Sequence, residues 1–281
     1  MRLGLADTIA SVTGLVIILI LVLMAIFAQQ IAPYDPTAGS LLDRLKPPVW
    51  QDGGSTAHLL GTDVLGRDTF SRLIYGARTS LAVAVIAILV AGTIGSALGI
   101  AAGYLGGWVD LIVMRTADLA FSFPTILLAM VLAVIFGASF GNIILVISLV
   151  LWAEYARMAR GESLKIKSMD YVALARVAGV SKITIMLRHI LPNVASSLII
   201  LGTLQVGVVI ILESSLSFLG VGMPPPTPDW GAMISEGRSY VVTAWWLSLM
   251  PGVAILLTVL AFNLLGDALT EWLNPSSHRE A

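Results

Sequence analysis

The sequence contains no cysteine, which removes disulfides, thiolate metal sites and cysteine nucleophiles together. It is also poor in charge: 16 basic and 17 acidic residues make only 12% of 281, about half the share of an ordinary soluble domain. That is too little to cover a water-facing surface, so the expected solvent for most of the chain is lipid. The formal net charge of −1 leaves no basic field for nucleic acid, and nucleic-acid binding is excluded. Histidine is almost as scarce. His58, His189 and His278 all fall outside the apolar runs, no H-E-x-x-H pair exists, and no carboxylate cluster offers a metal site. Neither a catalytic constellation nor a resident metal or cofactor is expected.

What the chain has in abundance is apolar sequence, 57% of its residues. A crossing of about 30 Å of hydrocarbon takes roughly 20 helical residues, and the charge-depleted windows predict six. They are about Ile9–Ala32, Ser80–Tyr104, Leu111–Phe136, Asn142–Trp152 with a helical continuation toward Glu154 and Arg157, Val194–Leu219, and Thr243–Leu265. The first is too long for a signal-peptide core and reads as an uncleaved anchor. In the second, Gly92, Gly95, Gly99 and Gly103 recur at helical spacing, which predicts a close-packed neighbour. The third carries Arg115 and Asp118 one turn apart, an expected intramembrane pair. The fold expected is an all-α integral membrane protein of six helices. An anchor and juxtamembrane segment would occupy residues 1–79 and a five-helix core residues 80–281, with a loop at 154–192.

Six crossings place both termini and the 154–192 loop on one side. That side holds Arg2, Arg157, Arg160, Lys165, Lys167, Arg176, Lys182, Arg188 and Arg279, against Arg44, Lys46, Arg67, Arg72, Arg78 and Arg238 on the other. The excess marks it as cytoplasmic.

Two motif look-alikes fail on context. Gly61–Asp68 has the glycine spacing of a phosphate loop but puts Arg67 and Asp68 where lysine and a hydroxyl belong. An amphipathic segment, with Leu65, Phe70, Leu73, Ile74 and Leu81 dipping into the membrane interface, is expected instead. Gly137–Gly141 matches G-x-S-x-G, yet both its flanks are membrane helices and no histidine is in reach.

The informative segment is Glu154–Pro192. Asp170 is placed to cap a short helix whose Tyr171, Leu174, Ala175 and Ala178 share an apolar face, and Gly179 to end it in a left-handed turn. Ser181 is placed to cap a second helix with Ile183, Met186, Leu187 and Ile190 at i, i+3, i+4, i+7, until Pro192 breaks it. A helix pair with an apolar face and a basic rim suits docking into the groove of a soluble partner; an interfacial helix on anionic lipid is the alternative.

In that segment Ala173, Leu174, Ala175, Gly179, His189, Leu191 and Pro192 keep the spacing of a known signature, E-A-A, three residues, Gly, nine residues, I-x-L-P. It resembles the coupling loop of binding-protein-dependent ABC importer permeases. Ala173, Leu174 and His189 depart from its Glu, Ala and Ile; Gly179, Leu191 and Pro192 match. APYDP (32–36), HLLGTDVLGRDTFSRLIYGARTSL (58–81), ADLAFSFPTILLAM (117–130), ESSLSFLGVGMPPPTPDWGAMI (213–234) and FNLLGDAL (262–269) resemble the second permease subunit of the dipeptide, oligopeptide and nickel branch.

The resemblance implies a type I importer fold and a subunit that pairs with a homologous permease to enclose a path. A solute-binding protein would feed it, and two ATP-binding subunits, holding ATP and Mg, would supply the energy. Tyr171, Ala173, Leu174, Ala175, Gly179, Leu191 and Pro192 would form the coupling surface. Di- or oligopeptides are the expected cargo, with nickel or another small solute as the alternative. An ion-coupled carrier would show paired inverted repeats, which are not found. Glu213 either lines the path, with Gln205 on an adjoining strip of its helix, or pins the helix end by hydrogen bonds to the Leu216–Gly222 turn.

Overall fold

The computed structural model describes residues 5–273. Arg2, His278 and Arg279, used or weighed above, lie outside the described residues. Within them every regular element is helical. Five helical stretches are long and apolar enough to cross a membrane: Thr8–Ile26, Thr69–Leu105, Phe140–Lys167, Lys182–Phe218 and Trp246–Leu273. The first lies within α1 (Leu5–Ile26), which is followed by the single turn α2 (Ala28–Ile31).

The expected second span is only the latter part of α3 (Thr69–Leu105), a helix of 37 residues. Asp68 starts it by accepting from the Ser71 backbone N–H at 2.8 Å. Residue 79, the expected domain boundary, therefore lies inside a continuous helix. The interfacial reading of its first turns is corrected as well. Leu73, Ile74 and Leu81 are buried in the protein, because Trp230 packs across Gly76 and donates its indole N–H to the Leu73 carbonyl at 3.1 Å.

The third span is broken. α4 (Gly107–Phe121) and α5 (Thr125–Phe136) meet at 95° around Ser122–Pro124. Pro124 has no N–H to continue the ladder, and its ring disfavours helical geometry at Phe123. α4 is tied to α6 (Phe140–Lys167) by two ion pairs, Asp110 with Arg160 and Asp118 with Arg157. With twelve residues, α5 is about 18 Å long and cannot span the hydrocarbon alone.

α6 follows Ser139, whose hydroxyl accepts from the Asn142 N–H at 3.1 Å, and it continues past Trp152 as expected, through Glu154 and Arg157 and on to Lys167. It lies against α3 in the most extensive helix pairing among the described residues, made possible by glycine. A Cβ at Gly95 would stand 2.3 Å from the Trp152 carbonyl oxygen, and one at Gly103 would stand 2.8 Å from that of Arg160. α7 (Asp170–Val177), α8 (Lys182–Ile185) and a π-helical turn (Met186–Ile190) lead into α9 (Leu191–Phe218). Then come α10 (Trp230–Gly237) and α11 (Trp246–Leu273). The main core sits where α3, α6 and α9 meet, around Ala84, Ala87, Ile143, Ile147, Val209 and Ile210.

Candidate functional site

The 170–192 segment is a compact bracket fixed to the ends of three long helices. Val172 of α7, Ile185 of α8 and Ile190 of the π-turn are fully buried with Ile100, Tyr104, Ile166 and Val194. α7 ends in a Schellman arrangement: Val180 N–H donates to the Ala175 carbonyl (3.1 Å) and Gly179 N–H to that of Arg176 (3.0 Å). Gly179 sits at φ +76°, the left-handed region a Cβ disfavours. Ser181 caps α8, accepting from Thr184 N–H at 3.2 Å.

Two local expectations are corrected. Asp170 makes no capping bond; Met169 is the extended residue before α7, and Asp170 occupies the first helical turn, where its charge favours the helix N-terminus. Nor does Pro192 break the helix. The chain widens to one π-turn, Leu191 N–H reaching back to the Met186 carbonyl, and Pro192 enters the first turn of α9 where no N–H is needed.

What the bracket presents outward is apolar. Leu174 and Val177 are 68% and 88% exposed, Tyr171, Ala173 and Ala178 are exposed beside them, and Ala175 is half-buried. Ile183 and Leu187 are exposed on the following turns. Leu191 and Pro192 are exposed at the start of α9, where Asn193 donates to the His189 carbonyl at 2.6 Å. Val177, the most exposed of these side chains, is absent from the expected face although it lies three residues after Leu174.

Comparison with known proteins accords with this layout. The family described as binding-protein-dependent transport system inner membrane component matches residues 95–279. The chain belongs to that family. A second family, the N-terminal TM domain of oligopeptide transport permease C, matches residues 10–48. The chain is 44% identical to a glutathione transport system permease protein of Pectobacterium atrosepticum, over 92% of this chain and 84% of that protein. It is 43% identical to proteins of the same description from Escherichia coli O157:H7 and Shigella sonnei, over 94% of this chain and 86% of theirs. This is thus a multi-pass inner-membrane permease subunit of an ABC importer.

The polar groups within the long helices of the permease fall into separate clusters. Arg115 and Asp118 approach to 3.6 Å and are 73% and 51% exposed, but Asp118 is shared: Arg157 donates to it at 3.1 Å while stacking 3.9 Å over Phe121. Glu213 is fully buried. It accepts from the hydroxyls of Ser80 on α3 at 3.2 Å and Ser214 at 3.4 Å, and lies against the carboxyl of Asp229. The expected bonds to the Leu216–Gly222 turn are not made. Ser217 serves that turn instead, its hydroxyl accepting from Met223 N–H.

Gln205, expected beside Glu213, is not brought to it. Its amide donates to Glu154 of α6. Glu154 was read as the edge of the polar loop because charge follows it closely in the sequence. Only the continuation of α6 to Lys167 puts it fourteen residues, about 21 Å, inside the helix from Phe140.

At the end of the protein away from the bracket, Gly61–Asp68 is a tight loop knotted around Asp63. This carboxylate accepts from the backbone N–H groups of Leu65 (2.8 Å) and Arg67 (2.9 Å) and from Arg67 Nε (2.6 Å). Arg67 and Arg72 both reach Glu236, at 2.9 and 3.2 Å, and join the loop to α10. The chemistry is that of a structural clamp.

Proposed function

We propose that this permease subunit forms half of the path by which small peptides, glutathione among them, enter the cell, and that the 170–192 bracket couples that path to an ATPase. The first half of the reading is supported by relatives over 90% covered on this chain, whose descriptions name glutathione transport. One observation carries the second: the exposed apolar knob of Leu174 and Val177 stands on a base of buried Val172, Ile185 and Ile190, so a push on the knob is transmitted to α3, α6 and α9 together. The knob fits a hydrophobic groove in one of two ATP-binding subunits, which hold ATP and Mg, and the second ATPase receives the corresponding loop of the homologous permease. A homologous permease completes the path, and an extracytoplasmic solute-binding protein loads it.

In this reading the bracket end is cytoplasmic. Arg157, Arg160, Lys165, Lys167, Arg176, Lys182 and Arg188 gather there, in the sense the positive-inside rule requires. Reconstitution of the assembled transporter in proteoliposomes tests the proposal. Labelled glutathione or dipeptide should accumulate only with ATP and the solute-binding protein, and vanadate should stop it while an uncoupler does not. Uptake that follows an ion gradient without ATP would refute it.

A further inference from the structure

Glu154 and Gln205 stand together deep inside the long helices. Gln205 lies thirteen residues, about 20 Å, from the Phe218 end of α9, much as Glu154 lies from the Phe140 end of α6. Reckoned from those two helix ends, about 30 Å of hydrocarbon would include both, and an ionisable side chain at such a position is expected to face a partner or a wet cavity. The Gln205 side chain is 4% exposed; its Nε2 donates to Glu154, and its Oε1 is buried with no donor. Glu154 is half-buried, and it also lines a cleft of about 440 Å³ with Phe121, Arg157 and Met158.

The two cations that line this cleft, Arg157 and Lys165, are each bonded to a carboxylate other than Glu154. Arg157 acts on Glu154 through space, but its guanidinium is bonded to Asp118 and stacked on Phe121. Lys165 is bonded to Glu162 at 2.8 Å. Arg115, 73% exposed, approaches Asp118. Among the described residues no ion pair includes Glu154; its bonded partner is a neutral amide. Glu154 therefore offers the cleft a carboxylate with no cation bonded to it. A group with several N–H donors and a positive charge can bond the Glu154 carboxylate from the cleft, while the buried amide of Gln205 holds that carboxylate from behind.

We propose that Glu154 is a cargo-contacting residue of the translocation path, receiving the ammonium group of a passing peptide, and that Gln205 is its positioning residue. The assignment of an ammonium rests on the peptide reading above; the assignment of position 154 to a water-filled path does not.

This chain has no native cysteine, so label recovered on this subunit reports the introduced thiol alone. In the assembled transporter, the thiol introduced by Glu154→Cys should react with a water-soluble cationic methanethiosulfonate at least tenfold faster than one introduced by Leu149→Cys on the apolar stretch of α6. Glu154→Gln should lower uptake of free-amine peptides at least tenfold, with a substantial part recovered in Glu154→Asp. A thiol at 154 that reacts no faster than one at 149 overturns the proposal, since the side chain would then be packed against the second permease. Wild-type uptake in Glu154→Gln overturns the cargo contact. If the wild-type complex imports no peptide while the 154 thiol is labelled, the peptide reading fails and the path position stands.

Discussion

Gly99 of α3 lies so close to α6 that a Cβ there would stand 2.2 Å from the carbonyl oxygen of Ala156. The contact repeats on either side, at Gly95 and Gly103, so the two helices meet backbone to backbone along about two turns. Burial of aliphatic side chains is a weak driving force for helices already in lipid, and close backbone packing takes its place. The same pairing carries Tyr155 and Ala156 on the core side of α6 and fixes where the neighbouring Glu154 stands.

Gly99→Val should therefore separate the pair. Overpacking at such a contact costs on the order of 1–3 kcal/mol, more where backbone must move. The yield of folded subunit in membranes and its melting temperature should both fall. Gly141→Ala, at a position with nothing within 4 Å of a new Cβ, should leave both unchanged. Equal behaviour of the two variants would mean that the close approach is not needed.

Asp63→Ala tests the clamp at the opposite end. It removes the acceptor of two backbone N–H groups and of Arg67, and takes a charge from beside Arg72; both arginines are almost completely buried. Stranding buried charge in this way costs about 3–5 kcal/mol. Limited proteolysis should then cut within 39–68, where the wild-type subunit resists. An unchanged digestion pattern would show that Glu236 alone holds the loop.

The coupling knob separates folding from work. Val177→Glu changes an 88%-exposed side chain and leaves the buried base intact. Insertion and melting should match the wild type, whereas co-purification of ATPase subunits and ATP-driven uptake should fall sharply. Gly179→Val should also abolish uptake, for a different reason: its φ of +76° costs a β-branched residue at least about 1 kcal/mol and tilts α7. If Val177→Glu binds its ATPase partners and transports normally, the knob is not the docking surface.

Much of this layout was legible because lipid imposes a blunt rule. Charge-depleted windows located every long helix, and the Gly179 turn and the Ser181 cap followed from short-range chemistry. The errors share a cause. Such windows mark where lipid is tolerated, not where a helix ends, so α3 was begun at Ser80 although it starts at Thr69. Arg72 hid that start, because one of its two partners, Glu236, comes from a distant segment. Glu154 was lost for the converse reason. With charged residues just beyond it, nothing local distinguishes a loop edge from the interior of a 28-residue helix.

Glu213 allows a sharper test than a simple loss of function. The residue is sealed from solvent between Ser80 of α3 and Asp229 at the start of α10, and each carboxyl has one oxygen with no donor among the described groups, Oε1 of Glu213 and Oδ2 of Asp229. Asp229 is already committed through Oδ1, which caps α10 by accepting from Ala232 N–H at 2.8 Å. Glu213→Gln keeps an oxygen for the Ser80 hydroxyl and turns an N–H toward Asp229. Its stability should stay within about 0.5 kcal/mol, a melting shift of roughly 2 °C or less for a chain of this size. Glu213→Leu keeps the volume but strands the Ser80 hydroxyl and the Asp229 carboxyl in the core, at about 1–3 kcal/mol for each lost partner. That variant should melt several degrees lower and lose uptake in proportion to folded subunit. Because the carboxyl is closed off from the surface, Glu213→Gln should import neutral, acidic and basic peptides at wild-type rates. A change that depends on cargo charge would put Glu213 on the path; an equal, severe loss of all cargoes would show that the carboxyl pair itself is required to hold α10 in place.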